Sequence, residues 1–318
     1  MFTDVFHANA QDDQYHGMEG FSFSQLKLLP AHPEEFYGFH VAKPPLWPRE
    51  ETDAMRFGTK VHARLLEPDT FAERFPRSEP CYGILKSGKR AGQSCGASAS
   101  MRTAGNEWFC GVHAKGIDCH AVDCLSDDDA VKIEWIFDSC RSDKKIRALL
   151  ECPGDIEYSL FGTHAETGLK VRGRLDKVCR AAGGRIILDF KTFNNYPHDE
   201  RLVSATFIQR CYYMQAAMYM DLMKAAGEPC QAFAFVFVRT CPPYNAVLWL
   251  VQEQDLLIGR RHNERALKDL QQRFITDYWH GSTFGEENTL HLPPWFYEKA
   301  DADIDFSSDF SSYAESEL

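Results

Sequence analysis

Two short stretches of the chain decide the fold that its sequence predicts. The residues from Gly173 to Asp176 read GRLD, and those from Ile186 to Thr192 read IILDFKT. Polar and apolar residues alternate around the first stretch, the second is largely a β-branched and apolar run, and turn residues lie between them. This pattern predicts a strand, a turn and a second strand, and therefore a β-hairpin.

The predicted hairpin brings two carboxylates and an ammonium group together. Asp176 and Asp189 would lie on adjacent strands, and Lys191 would share a face with Asp189 because strand side chains alternate. Such a set suits metal-dependent phosphodiester hydrolysis, in which Mg²⁺ activates a water and the lysine orients or helps to deprotonate the nucleophile. The alternative is a half-buried sheet with outward charges, since Asp-x-Lys is a common tripeptide. However, Asp189 follows three apolar residues, where an unpaired carboxylate is costly.

Three other segments offer polar side chains that could complete a site. Tyr212, Gln215 and Tyr219 are spaced i, i+3 and i+7 on a predicted helix and share one face, although a tyrosine-rich core stripe would show the same spacing. His62 lies on another predicted helix. Glu157 lies in an alternating segment that predicts a strand and could add a third carboxylate.

The order of these motifs resembles that of a known family. Gly-x-x-x-His, a glutamate, Gly-x-x-Asp, Asp-x-Lys-Thr and Gln-x-x-x-Tyr follow one another along the chain. The order resembles the RecB-type branch of the PD-(D/E)xK nucleases, and within it the exonuclease VIII-like proteins of phages. The resemblance spans about residues 20 to 295, and Leu175 stands where the name motif has proline. It implies an α/β (α+β) fold with a mixed central sheet flanked by helices, a restriction-endonuclease-like core.

The resemblance also implies a role for each matching residue. The implied ligands of a catalytic Mg²⁺ or Mn²⁺ are His62, Asp176, Asp189 and the main-chain carbonyl of Phe190. The implied catalytic and supporting residues are Lys191, Glu157, Gln215 and Tyr219. Lys191 would be the catalytic lysine, Glu157 would support the metal or the DNA end, and the helical pair would orient the lysine or contact the phosphate.

The cysteines predict a second metal site. Eleven cysteines are many for a chain without a signal peptide, and such a number indicates metal binding more often than disulfides. Four candidate ligands lie in a segment poor in apolar residues: Cys81, Cys95, Cys110 and His113. The Cys-x-x-His pair closes a tight chelate, and two upstream thiols complete the tetrahedral set that structural Zn²⁺ prefers. Binding of the ion would supply folding free energy that this segment lacks.

Two alternatives compete with zinc. The segment could be disordered with incidental thiols, and Cys119 or Cys124 could replace one ligand. An iron-sulfur cluster, which relatives of this nuclease branch carry, would need three closely spaced cysteines after the core. The later cysteines, Cys211, Cys230 and Cys241, are far apart, so zinc is the predicted metal.

Charge is distributed unevenly along the chain, whose formal net charge is −11. Residues 301–318 hold six acidic and no basic residues, which predicts a disordered tail. Such a tail could mimic nucleic acid or dock a partner. Residues 77–115 hold six basic and two acidic residues. Another predicted helix carries Arg260, Arg261, Arg265 and Lys268. Such local basic patches can follow a phosphate backbone even in an acidic protein.

The sequence predicts four segments: an N-terminal helical part of the nuclease domain (1–75), the Cys/His zinc-binding insert (76–125), the nuclease core (126–297) and the acidic tail (298–318). There is no apolar run of 18 residues and no signal peptide, so we expect a cytoplasmic protein that does not contact membranes. The absence of a Walker-type loop argues against an ATPase or helicase.

Two classes of function remain. The first is a Mg²⁺-dependent DNA exonuclease that degrades linear duplex ends to leave single-stranded tails for recombination; its partners would be DNA, a recombinase or annealing protein, and further copies of itself in a ring. The second is a zinc-stabilised DNA-binding or scaffold protein with an inactive nuclease core. A structure-specific endonuclease of the same superfamily shares the chemistry of the first class, but would lack the Gln-x-x-x-Tyr helix.

Overall fold

A mixed seven-stranded sheet forms the centre of the fold in the computed structural model, which describes residues 2–8, 12–48 and 50–281. The described strands are β1 (Phe2–Ala8), β2 (Phe21–Ser22), β3 (Met101–Arg102), β4 (Trp108–Phe109), β5 (His120–Ala121), β6 (Gly154–His164), β7 (Lys170–Ala181), β8 (Gly184–Phe193), β9 (Cys230–Arg239) and β10 (Ala246–Leu250). The central sheet has the order β1-β6-β7-β8-β9-β10, and β2 adds to β7. The pairs β8–β9 and β2–β7 are parallel and the others antiparallel. The predicted mixed sheet is confirmed.

Helices cover both faces of this sheet. They are α1 (Asp12–Gly17), α2 (Phe23–Leu26), α3 (Pro33–Phe36), α4 (Asp53–Leu66), α5 (Phe71–Arg74), α6 (Asp127–Ser142), α7 (Lys144–Glu151), α8 (Glu200–Gln209), α9 (Tyr212–Ala225) and α10 (Glu253–Thr276), with a π-helical turn at Tyr37–Val41. Strand β9 is apolar on both sides because both sides are buried. One side of β9 packs in a core with α9 and α10 through Phe233, Phe235 and Phe237. The other side packs in a core with α4 and α6 through Ala234, Val236 and Val238. No helix in the described ranges is long and apolar enough to span a bilayer.

The predicted hairpin is formed by β7 and β8. Its ladder runs from the pair Ala181–Gly184 to the pair Lys177–Leu188. Gly184 closes the turn with φ of 133°, a conformation that glycine adopts at little cost. Beyond the ladder β7 continues to pair with β6 and β8 continues to pair with β9. The two strands therefore separate beyond the pair Lys177–Leu188, at Asp176 and Asp189, and their separation opens a cleft.

Two helical regions are each divided into a pair of helices. The predicted helix that carries Tyr212, Gln215 and Tyr219 is α9, and Cys211 separates it from α8 by adopting a left-handed conformation with φ of 55°. The second pair is α6 followed by α7. Asp143 separates the second pair, and its side chain accepts hydrogen bonds from the N–H groups of Lys145 and Ile146 as the N-cap of α7.

The sequence predicts a helical N-terminal part, but the structure also has two strands there. Strand β1 forms the edge of the central sheet by pairing with β6, and β2 pairs with β7. β1 reads FTDVFHA and is mostly exposed, so it lacks the apolar alternation by which a strand is recognised in sequence. The first 75 residues thus contribute two strands to the central sheet.

The Cys/His insert forms a small layer between α5 and α6. Strands β3, β4 and β5 make a three-stranded sheet over a core of Cys81, Ala99 and Trp108. The N–H of Leu125 donates to the carbonyl of Pro76 at 2.9 Å and brings the two ends of the insert together. The insert belongs to the same compact unit as the central sheet, a unit that ends at Trp279. The predicted acidic tail lies outside the described residues.

Candidate active site

Asp189 is the most buried polar group of the cleft. Its side chain is 1% exposed, yet both of its oxygens have polar neighbours. The ammonium Nζ of Lys191, two residues further along β8, lies 2.5 Å from Oδ1. The Nε2 of Gln215 on α9 donates to Oδ2 at 2.7 Å. The alternation of β8 thus places the aspartate and the lysine on one face, and the glutamine from the covering helix fixes the carboxylate.

Asp176 faces the same cleft from β7 and contacts His62 from α4. The Nδ1 of His62 lies 3.3 Å from Asp176 Oδ2. The same oxygen accepts the N–H of Phe190 at 2.8 Å, where the strands have parted and no ladder partner is available. The backbone of Phe190 also forms a hydrogen bond with His62. The predicted ligands His62, Asp176 and Phe190 are therefore neighbours.

Burial sets the protonation of these groups. Burial, and next the charge of Asp176, raise the pKa of Asp189 to about 6. Burial also raises the pKa of Asp176. Burial and then the nearby Lys191 lower the pKa of His62 to about 4, so its imidazole is neutral at pH 7 and can act as a ligand. Two carboxylates that resist ionisation next to a neutral imidazole favour a bound cation, which would relieve their mutual repulsion.

Lys191 remains protonated despite being buried. Burial by itself lowers the pKa of this lysine, but the neighbouring Asp189, Tyr212 and Asp176 outweigh it and raise the pKa above its ordinary value. Its Nζ lies 4.8 Å from the ring centroid of Tyr212 and 5.6 Å from that of Phe235, within the range of cation–π attraction. The lysine therefore provides a fixed positive charge. Tyr212 therefore supports Lys191. The only sign of this role in the sequence is the helical face that Tyr212 shares with Gln215.

Glu157 and Tyr219 line the same cleft. The Oε2 of Glu157 accepts from Nε of Arg174 at 2.6 Å. Tyr219 is buried against β7, where a Cβ atom added to Gly173 would lie 2.8 Å from the tyrosine ring. This close approach explains the glycine of the GRLD stretch. The structure thus brings all seven side chains predicted for this site to one cleft.

The cleft has the size and charge for a polymeric anion. Its volume is about 1710 Å³, above the range of roughly 300–1,000 Å³ in which small-molecule sites fall. Nine lysines and arginines line it against seven aspartates and glutamates, although the whole chain carries −11. The sequence prediction missed the basic lining residues of this cleft: Lys27, Arg56, Lys60, Arg74, Lys132, Arg172, Arg174 and Arg210. Only Arg172 and Arg174 could have been found from the local sequence, because they lie four and two residues before Asp176 on β7 and therefore share its face.

The predicted zinc ligands come together in the insert. The ligand atoms of Cys81, Cys95, Cys110 and His113 all lie within 4.8 Å of one another. His113 Nδ1 is 3.5 Å from the sulfurs of Cys81 and of Cys110. Among the described residues no other set of three or more histidines, cysteines and carboxylates is as compact, so His62, Asp176 and Asp189 are spaced more widely. The arrangement could hold a metal ion.

Main-chain groups donate hydrogen bonds to sulfur atoms in this set and favour the thiolate of Cys110. The N–H groups of Gly83 and Cys110 donate to the sulfur of Cys81 at 3.3 and 3.2 Å. A hydrogen bond from the backbone of His113 is the main cause that lowers the pKa of Cys110 to about 6. A Cβ at Gly83 would lie 2.3 Å from the ring of His113, so only glycine leaves room for the imidazole.

Two other sequence expectations find different roles in the structure. Cys119 and Cys124 lie outside the four-residue set, and their thiols face the carbonyls of Ala114 and Ala99 at 3.9 and 3.6 Å. The basic row on α10 is largely neutralised: Arg260 pairs with Asp221 and Glu253, and Lys268 pairs with Glu166 and Glu264. This row lies outside the cleft.

Comparison with known proteins agrees with this geometry. A crystal structure of a candidate exonuclease from Eubacterium rectale matches with a TM-score of 0.56 over 93% of this chain and 100% of that one, and its 15% identity supports a shared fold alone. The protein SSO0001 matches 44% of this chain and 57% of its own at a TM-score of 0.27 and 14% identity, too low to support an argument. No curated protein matches the sequence. The profile of the family described as a PDDEXK-like domain of unknown function (DUF3799) matches residues 22–279, and the chain therefore belongs to that family.

Proposed function

We propose that this protein is a Mg²⁺- or Mn²⁺-dependent DNA nuclease whose active site is the Asp176–Asp189 cleft. The observation that carries the proposal is the hydrogen-bonded cluster of Asp189, Lys191 and Gln215 beside the His62–Asp176 pair. A buried pair of carboxylates with raised pKa values is costly to an apoprotein and useful to a metal site. Nothing in the packing of the sheet requires charge at these positions.

The donor set fits a hard divalent cation. Two carboxylates, the neutral imidazole of His62 and the carbonyl of Phe190 would hold the ion. Mg²⁺ usually keeps several waters and takes only one or two protein carboxylates, which agrees with ligands spaced more widely than those of the insert. When bound, the cation supplies charge neutralisation at the phosphate and a more acidic water.

The surrounding residues have separate tasks. Lys191, fixed between Asp189 and the ring of Tyr212, presents a permanent positive charge towards the phosphate oxygens. Gln215 holds the orientation of Asp189, so the carboxylate does not have to rearrange when substrate enters. Preorganised charge of this kind stabilises a developing anionic transition state more than mobile solvent does.

The preference for DNA ends is a further part of the proposal. The resemblance to exonuclease VIII-like proteins supports it, as does the likeness in fold to a protein described as a candidate exonuclease. A role in recombination with an annealing protein, and a ring of subunits, rest on that resemblance alone. Digestion of end-labelled linear duplex and covalently closed circles with Mg²⁺ tests the preference. Linear DNA should be consumed while circles survive, and nicking of the circles at a comparable rate would favour an endonuclease.

We also propose that the insert holds one structural Zn²⁺ through Cys81, Cys95, Cys110 and His113. A tetrahedral ion with Zn–S of about 2.3 Å and Zn–N of about 2.0 Å places sulfur and nitrogen about 3.5 Å apart, and 3.5 Å is the distance from His113 to Cys81 and Cys110. The histidine argues against an iron-sulfur cluster, which takes four thiolates in its common forms. Metal analysis of purified protein should find about one zinc per chain, lost in Cys110→Ser. Iron with visible absorbance, or no metal in reducing buffer, would refute the assignment.

A further inference from the structure

Lys60 is a buried cation whose partners come from the Cys/His insert. Its side chain is 8% exposed, and its Nζ lies 2.7 Å from Oδ1 of Asp123. The same ammonium donates to the carbonyl of Cys124 at 3.1 Å. A buried charge is costly unless it is paired and hydrogen-bonded, so these two acceptors fix the position of Lys60. Both acceptors lie at the end of the insert, more than sixty residues away along the chain.

The segment that holds Lys60 is itself held by the core of the insert. The N–H of Val122 donates to the carbonyl of Ser100 at 2.8 Å, and the thiol of Cys124 faces the carbonyl of Ala99 at 3.6 Å. Cys124 also packs against the small core that contains Cys81, one of the four clustered metal-ligand candidates. Direct contacts therefore lead from the Cys/His cluster to the ammonium of Lys60.

Lys60 stands on the helix that carries His62. Residues two apart on a helix leave its axis about 200° apart, so the lysine can reach the insert while the histidine reaches Asp176. On the other side of His62, Arg64 forms two hydrogen bonds with Glu134 of α6, at 2.7 and 2.8 Å. The histidine is thus flanked by two anchors of α4, one on the insert and one on α6.

We propose that Lys60 is a positioning residue through which the Cys/His insert sets the place of His62 in the catalytic cleft. This inference rests on the proposed function of the cleft. If Asp123 and Cys124 move, the buried ammonium loses both acceptors and α4 must shift or turn to bring it to water. The Nδ1 of His62 then leaves its place 3.3 Å from Asp176. The insert is accordingly part of the apparatus that shapes the catalytic metal site.

A direct role in DNA binding is the competing explanation, because Lys60 also lines the cleft. The two roles differ in a property that can be measured without DNA. A residue that positions His62 changes the affinity of the cleft for a divalent cation. A residue that only touches the phosphate backbone leaves that affinity unchanged and reduces the salt dependence of DNA binding by about one phosphate contact.

The test is a titration of Mn²⁺ into zinc-loaded protein in the absence of DNA. Lys60→Met removes the ammonium and keeps the apolar stem. Asp123→Asn removes the partner charge at a half-exposed position, where folding is not at risk. The matched control is Arg77→Gln, which breaks the exposed 2.8 Å pair with Asp127 at the other end of the insert. We expect Lys60→Met to weaken Mn²⁺ binding about 10-fold, the low end of the range for supporting residues of a metal site.

Asp123→Asn should weaken Mn²⁺ binding in the same direction, and Arg77→Gln should leave it within about two-fold, as expected for an exposed ion pair. The double variant Lys60→Met with Asp123→Asn should bind no more weakly than Lys60→Met alone, because both changes break one contact. Zinc content should be unchanged in all four. Parental Mn²⁺ affinity in both Lys60→Met and Asp123→Asn would overturn the inference. A parent protein that binds no Mn²⁺ would instead overturn the proposed catalytic site, and this inference with it.

Discussion

The proposed catalytic cleft and the Cys/His insert differ in what holds their polar groups in place. The residues of the cleft stand on long strands and helices with a large apolar core on each face of the sheet. The insert has three short strands over three fully buried residues. Burial of that size cannot outweigh the entropy of ordering about fifty residues. The comparison indicates that the packing of the protein shapes most of the cleft before a catalytic cation arrives, whereas the insert would depend on its proposed zinc for its shape.

The electrostatics of the two regions differ in the same sense. In the cleft, burial raises the pKa values of Asp176 and Asp189, so the charged carboxylates are destabilised until a cation binds them. In the insert, backbone hydrogen bonds lower the pKa of Cys110 to about 6 and favour the thiolate that a metal requires. The cleft is thus well packed and holds carboxylates whose pKa values are raised. The insert has a small core and holds a thiol whose pKa is lowered.

The largest expected effect separates catalysis from folding. Lys191→Ala should lower the rate of duplex degradation at least about 100-fold, the scale for losing a preorganised charge at a transition state. Rates on linear duplex and thermal unfolding of the same preparations provide the measurement. Lys170→Ala is the matched control, since it removes an exposed lysine of β7 that pairs with Glu19 outside the cleft. Equal rates for the parent and Lys191→Ala would show that the lysine is not catalytic.

A pH titration of Mn²⁺ binding should reveal the raised pKa of Asp189. Asp189 has a pKa of about 6 without metal, so below this pH the cation must displace a proton. Mn²⁺ affinity should therefore be nearly constant above about pH 7 and about 10-fold lower at pH 5 than at pH 7, since a one-proton equilibrium with a pKa of about 6 changes by that factor over this range. Calorimetric titrations in two buffers of different ionisation enthalpy would count the proton released. An affinity that does not change between pH 7 and pH 5 contradicts the assignment of Asp189.

A pair of glycine substitutions gives the smallest and most local test of the comparison. Gly173→Ala places a methyl group against the ring of Tyr219, and Gly83→Ala places one against the ring of His113. Overpacking of the first kind costs typically 1–3 kcal/mol, so Gly173→Ala should lower the free energy of unfolding by about that amount while zinc content is kept. Gly83→Ala should release zinc and leave the cooperative unfolding of the core nearly unchanged. Zinc loss from Gly173→Ala would show that the packing of the central core and the retention of zinc by the insert are not separable.

Local patterns carried most of the fold prediction and most of the site. The alternation of β8 fixes the relation of Asp189 to Lys191, and the helical period of α9 places Gln215 on the face that reaches it. Ligand chemistry alone was enough to group Cys81, Cys95, Cys110 and His113. These features depend on neighbours in sequence or on residue type, which a single sequence contains.

Long-range contacts were not predictable in this way. β1 pairs with a strand more than 150 residues away and has no apolar alternation of its own. The break between α8 and α9 depends on a left-handed Cys211, a residue type that gives no such signal. The partners of Lys60 lie in the insert, and that of Glu157 is Arg174 on the neighbouring strand. Each of these depends on how distant segments pack, and no periodicity records it.

Asp189→Asn tests most directly whether the cleft is a metal-dependent nuclease site. Mn²⁺ titration and degradation of linear duplex should be measured on the same preparation of this variant and of the parent protein. The substitution keeps the shape of the side chain but removes the charge that faces Lys191 and the proposed cation. We expect the variant to stay folded, to bind Mn²⁺ at least about 10-fold more weakly, and to lose at least about 100-fold in rate. A folded Asp189→Asn protein that binds Mn²⁺ and degrades DNA as the parent does would contradict the proposed site.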